Sequence, residues 1–205
     1  MQSGLVAKLS GSGGNVTGVT FLNTALMPKR LEVIREAVPN AAVFAMLANS
    51  ENAFLESDSK DVTEAAKPSG AKVLIVHAAG DGDPSTAFAE VARKRVDGVL
   101  VHHDGALYSR IKEIIALAAS YRVPTIYFSR ECAELGGLMS YGLDINQVLR
   151  QAGVYAGRIL NGEKPGELPV QQPTKFQLVV NLKTAKTPGL AIPPTLLARA
   201  DEVIE

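Results

Sequence analysis

Three short polar clusters hold most of the residues in this chain that could recognise another molecule. Asn49, Ser50 and Asn52 follow the apolar run AVFAMLAN. His103, Asp104 and Gly105 close the run DGVLVHH. Ser129, Arg130 and Glu131 follow PTIYF, with Tyr127 at the end of that run. Together they offer amide and hydroxyl hydrogen bonds, carboxylates, a guanidinium and a phenol ring. These groups suit the holding of a small polar molecule. If the apolar runs are neighbouring strands, their ends converge on one cleft floor, because open α/β sheets bind ligands beyond the carboxyl ends of their strands. Loop ends are polar in any sheet, so the clusters by themselves are equally what solvation demands.

Catalytic and cofactor patterns are missing. The Gly-rich GSGG at 11–14 lacks the preceding strand, following helix and glycine spacing of a dinucleotide loop, and no Gly-x4-Gly-Lys-Ser/Thr loop occurs. His77, His102 and His103 follow two of the runs, with Asp104 adjacent, but their spacing matches no metal motif, so neither metal nor cofactor is expected. Cys132 stands beside Arg130 and Glu131 with no histidine at local spacing, which favours a packing role. No serine stands in a Gly-x-Ser-x-Gly elbow. An enzyme is therefore not expected.

The elements that must position these clusters are legible from hydrophobic period. KRLEVIREAV (29–38) puts Leu31, Ile34, Ala37 and Val38 on one helical face, and Pro39-Asn40 ends it. Strand-length apolar runs follow at 42–49, KVLIVHA, DGVLVHH and PTIYFS. They are separated by helical patterns at 51–70, PSTAFAEVARKRV and ALYSRIKEIIALAASYRV. Buried strands alternating with helices predict a parallel sheet covered on both faces, an α/β fold of Rossmann or flavodoxin-like type over 42–128. Beyond GGLMSYG comes the longest helical pattern, DINQVLRQAGVYAGRILNG, with Asp144 as its cap and Gly162 as its stop. FQLVVNL reads as a further strand. A helix starts at Pro194 or Thr195, residues 1 to about 10 read as a short helix, and Val16–Phe21 as a brief β run.

With 46% apolar residues the 205-residue chain can bury a substantial core, and its 21 basic and 21 acidic side chains give no electrostatic reason to expect nucleic acid or an anionic membrane. The single cysteine excludes an intrachain disulfide scaffold but not the periplasm. No stretch approaches the roughly 18 apolar residues of a membrane span. MQSGLVAKLSGSGG has no basic head or continuous apolar centre, so a chain starting naturally at Met1 would stay in the cytoplasm.

Several stretches carry a resemblance: GGNVTGVTF, KRLEVIREAVPNAAVFAMLANSEN, VDGVLV, VPTIYFSRECAELGGLMSYG, QAGVYAGRILNGEKPGELPVQQPTKFQLVVNLKTAK and IPPTLLARADEVIE. They resemble the ABC-transporter substrate-binding proteins of the tryptophan/tyrosine-type uptake family, most specifically from 136 onward. The resemblance implies a class I periplasmic binding protein, with two Rossmann-like lobes joined by crossing strands around a small ligand. It implies that roughly the first 100 residues of a full member, about one lobe's worth, are missing. Residues 1–26 then correspond to the end of the first lobe, 27–134 to a complete second lobe, and 135–205 to crossover and C-terminal segments returning toward the first. GGLMSYG becomes a crossing segment, released from the preceding helix by Gly136 and Gly137, with Ser140 and Tyr141 facing the cleft; a plain turn is the alternative.

The same resemblance implies the kind of ligand. A small molecule such as an aromatic amino acid is expected, with Asp104 or Glu131 pairing its ammonium and Arg130 taking its carboxylate. Tyr127 or Tyr141 would stack on its ring, and Asn49, Ser50 and Asn52 would donate hydrogen bonds. The full-length family is periplasmic and delivers to an ABC permease; a small-molecule sensor or partner-binding domain without transport is the alternative reading. Apolar surface left by a missing lobe, at Val6, Leu9, Val19, Phe21 and the apolar face of 145–159, would favour a homodimer.

Overall fold

The computed structural model describes residues 14–20, 26–173, 175–186 and 189–205. They fall into two compact units, the larger holding the described residues of 26–142 and 177–205, the smaller those of 14–20 and 143–176. A seven-stranded sheet is built from β1 (Val43–Asn49), β2 (Lys72–Ala79), β3 (Gly98–Val101), β4 (Thr125–Tyr127), β5 (Met139–Leu143), β6 (Phe176–Asn181) and β7 (Glu202–Ile204), in the order β2-β1-β3-β4-β5-β6-β7. β1 pairs parallel with β2 and β3, β3 with β4, β4 with β5, and β6 with β7. The Asn181 N–H donates to Leu138 C=O at 2.9 Å and the Asp144 N–H to Lys175 C=O at 3.4 Å, so β6 runs opposite to β5. The four runs read as parallel strands from their unbroken apolar character are parallel strands. The opening order, 2-1-3-4-5, is that of a flavodoxin-like sheet.

Residue alternation along the strands feeds two core layers. Phe44, Met46, Ala48, Leu100, Ile126 and Met139 pack on one face, under α1 (Leu26–Ala37) and α2 (Leu55–Ala66). Ala45, Leu47, Val99, Val101 and Tyr127 pack on the other, with side chains of α3 (Pro84–Arg93), α4 (Gly105–Ser109) and α5 (Ile111–Ser120). Both faces are covered over the inner strands β1 and β3, so these must be apolar on both sides, which is why alternation with polar residues is missing from them. The segment 105–120, expected as one helix, is two: Arg110 leaves helical geometry (φ −108°, ψ 16°). α6 (Arg130–Glu134) opens directly after β4.

GGLMSYG is not a plain turn, because residues 139–143 form β5. Position 142 admits only glycine: a Cβ there would stand 1.8 Å from the carbonyl oxygen of Phe128. In the smaller unit, α7 (Ile145–Leu160) is capped by Asp144, which accepts from the Gln147 N–H at 3.2 Å. Tyr155 donates to Pro169 C=O (2.7 Å) and accepts from Gln171 Nε2 (3.0 Å), tying α7 to the following loop. Val19 forms a single parallel bridge with Gln171, and the short helix expected at the N-terminus lies outside the described residues. Returning to the larger unit, α8 (Leu182–Ala185) follows β6 and α9 (Pro194–Leu197) is one turn; the chain then pairs β7 with β6, a strand too short to read from periodicity.

Candidate functional site

The strand order reverses between β1 and β3, and the crevice at such a switch point is where α/β sheets bind. The loops leaving β1 and β3 are tied together there by side chains. Asp104 Oδ1 accepts from the Ala106 N–H (2.8 Å) and the Leu107 N–H (3.1 Å), capping α4. Its Oδ2 accepts from Asn52 Nδ2 at 2.7 Å, and Asn49 Nδ2 reaches both oxygens at 3.2 and 3.3 Å. Partial burial pushes the Asp104 carboxyl up, but the bonds from Asn52, Leu107, Asn49 and Ala106 outweigh it and hold it below the usual carboxylate range. Ser50 extends the group to the end of β2, its Oγ accepting from the Asp81 N–H at 3.1 Å.

Beside this polar knot stand three rings. His103 meets Phe128 edge-on, with centroids 4.9 Å apart and planes at 87°; Tyr108 meets the same ring at 5.9 Å and 55°. Tyr108 is 48% exposed and His103 also faces solvent. Desolvation, then the neighbouring Arg30 and His102, lower the His103 pKa below the usual imidazole value. Two exposed rings packed on a buried third thus stand beside the Asp104 group, an arrangement able to receive a molecule that carries a ring.

Under the site lies a buried ionic layer. Arg30 (1% exposed), Asp58 (4%) and His102 (2%) come from α1, α2 and the end of β3. His102 Nε2 and Asp58 Oδ2 are 2.8 Å apart, and since a carboxylate only accepts, the ring donates. Arg30 Nε donates to Tyr141 C=O at 2.8 Å and Nη1 to Met27 Sδ at 3.3 Å. Burial lowers its pKa to about 10, against the charge of Asp58, which raises it. Arg30 Nη2, Asp58 Oδ1 and His102 Nδ1 have no hydrogen-bond partner among the described residues.

The structure brings together Asn49, Ser50, Asn52 and Asp104 among the residues singled out from sequence. It places the others apart from them. Tyr127 is buried, its ring packed where a Cβ on Gly137 would stand 2.7 Å away, and burial pushes its phenol above the ordinary range. Arg130 is held by Glu202 at 2.8 and 2.9 Å and by Glu134. Glu131 is half-buried in the first turn of α6. Ser140 is buried opposite Tyr127 in the strand register, and Tyr141 packs against the other core layer. Sequence reasoning passed over Phe128, Tyr108 and the buried layer. The last had a signal: Arg30 falls on the stripe Met27, Ile34, Ala37, and Asp58 on the stripe Leu55, Val62, Ala66, each a charge on an apolar helix face.

Sheet order and switch-point site together define a lobe of a class I periplasmic binding protein. The family model described as ABC transporter substrate binding protein matches residues 1–204, and the chain belongs to that family. A tyrosine-binding protein of Clostridioides difficile is 23% identical over 187 residues, covering 91% of this chain and 53% of that protein, so the chain spans about half of that relative. A solved conserved domain protein from Vibrio cholerae superposes with a TM-score of 0.85 at 30% identity, over 97% of this chain and 66% of that one. An ABC domain from Streptococcus pneumonia solved in complex with L-Trp gives 0.84 at 26% identity, over 98% and 67%. Among the described residues no helix is long and apolar enough to cross a membrane.

Proposed function

We propose that this chain is the ligand-recognising part of an ABC importer, that it works outside the cytoplasmic membrane with a permease as partner, and that its ligand is an aromatic amino acid. The observation that carries the reading is the ring group His103–Phe128–Tyr108 set beside the Asn49–Asn52–Asp104 knot at the switch point. Similarity to a tyrosine-binding protein and to a domain solved with L-Trp supports it. The larger unit is then the second lobe, and the smaller unit belongs to the first. Binding, not turnover, is the expected activity.

Tyr108, exposed like His103, can turn toward a ligand without unpacking the core. Tyr108→Ala should weaken binding of L-tyrosine or L-tryptophan about tenfold, the worth of one good aromatic contact. Calorimetric titration reads this directly, and the ligand-dependent rise in melting temperature reads it a second way. A wild-type chain whose melting temperature no aromatic amino acid shifts at millimolar concentration would overturn the ligand assignment.

We also propose that two copies associate through α7. Leu149 (62% exposed) and Leu160 (87%) share one outer face of it, whereas Val148 is buried within its unit. Val19 is half-buried, and Val6, Leu9 and Phe21 lie outside the described residues. Light scattering should return twice the 21.7 kDa chain mass, and Leu149→Glu should return the single mass. A wild-type chain that stays at the single mass on concentration refutes the association.

A further inference from the structure

We propose that Asp104 is a positioning residue, which locks the loops after β1 and β3 and presents Tyr108 and His103, and does not itself bind the ligand. The inference rests on the aromatic-amino-acid reading for its ligand and on hydrogen-bond valence for its substance. An ionised carboxylate has about four acceptor positions. Four donors already occupy those of Asp104: the N–H groups of Ala106 and Leu107, and the amides of Asn49 and Asn52. Asp104 is 9% exposed and Asn49 8%. An ammonium docking there would have to expel a donor that is fixed by the backbone or by a second bond.

The amides are engaged at their other ends as well. Asn49 Oδ1 accepts from the Glu51 N–H at 3.1 Å, and Asn52 Oδ1 from the Phe54 N–H at 2.9 Å. Each asparagine therefore bridges its own loop to Asp104, with orientation set at both ends. The end of β2 closes on the same knot. Gly80, at φ +78°, lies so near that a Cβ would come within 2.3 Å of Ser50 Oγ and 2.7 Å of Asn49 Oδ1. Two strand ends thus meet on one carboxylate, and the third closes on the residues that bind it. The residues it caps into α4 include Tyr108, whose N–H donates to Asp104 C=O at 2.9 Å, and His103 directly precedes it. Removing the charge should therefore disturb ring placement rather than delete a contact to the ligand.

The two roles separate with a ligand that lacks the ammonium. Asp104→Asn keeps an oxygen for the α4 cap but turns an NH2 group against the amides of Asn49 and Asn52, donor against donor. Titrated with L-tryptophan and with indole-3-propionate, D104N should bind both about tenfold more weakly than wild type, by the same factor. The double variant D104N/N52D restores a carboxylate facing an amide, and should recover both affinities to within about threefold of wild type. A penalty confined to L-tryptophan, or a double variant no better than D104N, overturns the proposal, because a direct ammonium contact predicts the first and an inert knot the second. A wild-type chain that binds neither compound defeats the ligand reading instead. The proposal then stands or falls on melting temperature without ligand: the double variant must regain at least half of what D104N loses.

Discussion

Asp58→Ala should destabilise the protein by about 3–5 kcal/mol, among the largest losses expected from one substitution in this chain. Arg30 is almost wholly buried and, with a pKa of about 10, still charged at neutral pH. Asp58 supplies the attraction that opposes its desolvation and also accepts the bond from His102. Without it, among the described residues, the guanidinium keeps a backbone carbonyl and a thioether, and the imidazole loses its bond to Asp58. Half-exposed pairs such as Arg130–Glu202 are the comparison: exposed ion pairs contribute about 0–1 kcal/mol. The double variant Arg30→Met/Asp58→Leu should regain part of the loss, since it removes the stranded guanidinium, while His102 stays without its Asp58 partner. Urea midpoints at constant slope measure all three. If D58A costs no more than E202A, the buried layer is not held by charge.

Gly142→Ala should cost about 3 kcal/mol or more, at the upper end of what overpacking does. The new Cβ would lie 1.8 Å from Phe128 O and 2.9 Å from Phe128 C, both backbone atoms that no rotamer change can move. β5 must then withdraw from β4, straining the Tyr127–Ser140 pairing and the bond from Arg30 to Tyr141 C=O. The displaced Phe128 carries the ring group with it, so ligand affinity should fall along with stability. Gly153→Ala is the control. It lies in α7 with nothing within 4 Å of the added carbon, and should be stabilising by about 0.5–1 kcal/mol through helix propensity. Equal melting temperatures for the two variants would show that β5 is not pinned at this point.

The β/α alternation from 43 to 127 was legible because a parallel strand buried on both faces must be apolar at nearly every position. That condition shows as unbroken runs such as VFAMLAN and GVLV. The cap of the long helix was legible for the same local reason: Asp144 precedes it and accepts from the Gln147 N–H, whereas Asp83, which caps α3, was passed over. β5 and β7 were not. Five and three residues long, they have no period of their own and are strands only because β4 and β6 offer them edges, which no local pattern records. The break at Arg110 was hidden likewise, since both sides of it are good helix sequence.

At the site, sequence placed Asn49, Ser50, Asn52 and Asp104 at strand ends, which comes from chain order and strand length alone. It named Tyr127 and passed over Phe128. Both are buried in the same core layer, and their neighbours there depend on where the ladder stops: Tyr127 is still paired with Ser140, and Phe128, one residue past it, meets His103 and Tyr108. Nor could sequence say that Asp104 spends its charge on two asparagines from another loop, more than 50 positions away. Composition and period determined which segments are strands and helices, because burial acts on each segment separately. Only the tertiary structure decided which polar atoms are consumed by one another and which rings are left facing solvent, because hydrogen-bond partners and ring neighbours are chosen across elements, by distances that exist only once the sheet is assembled.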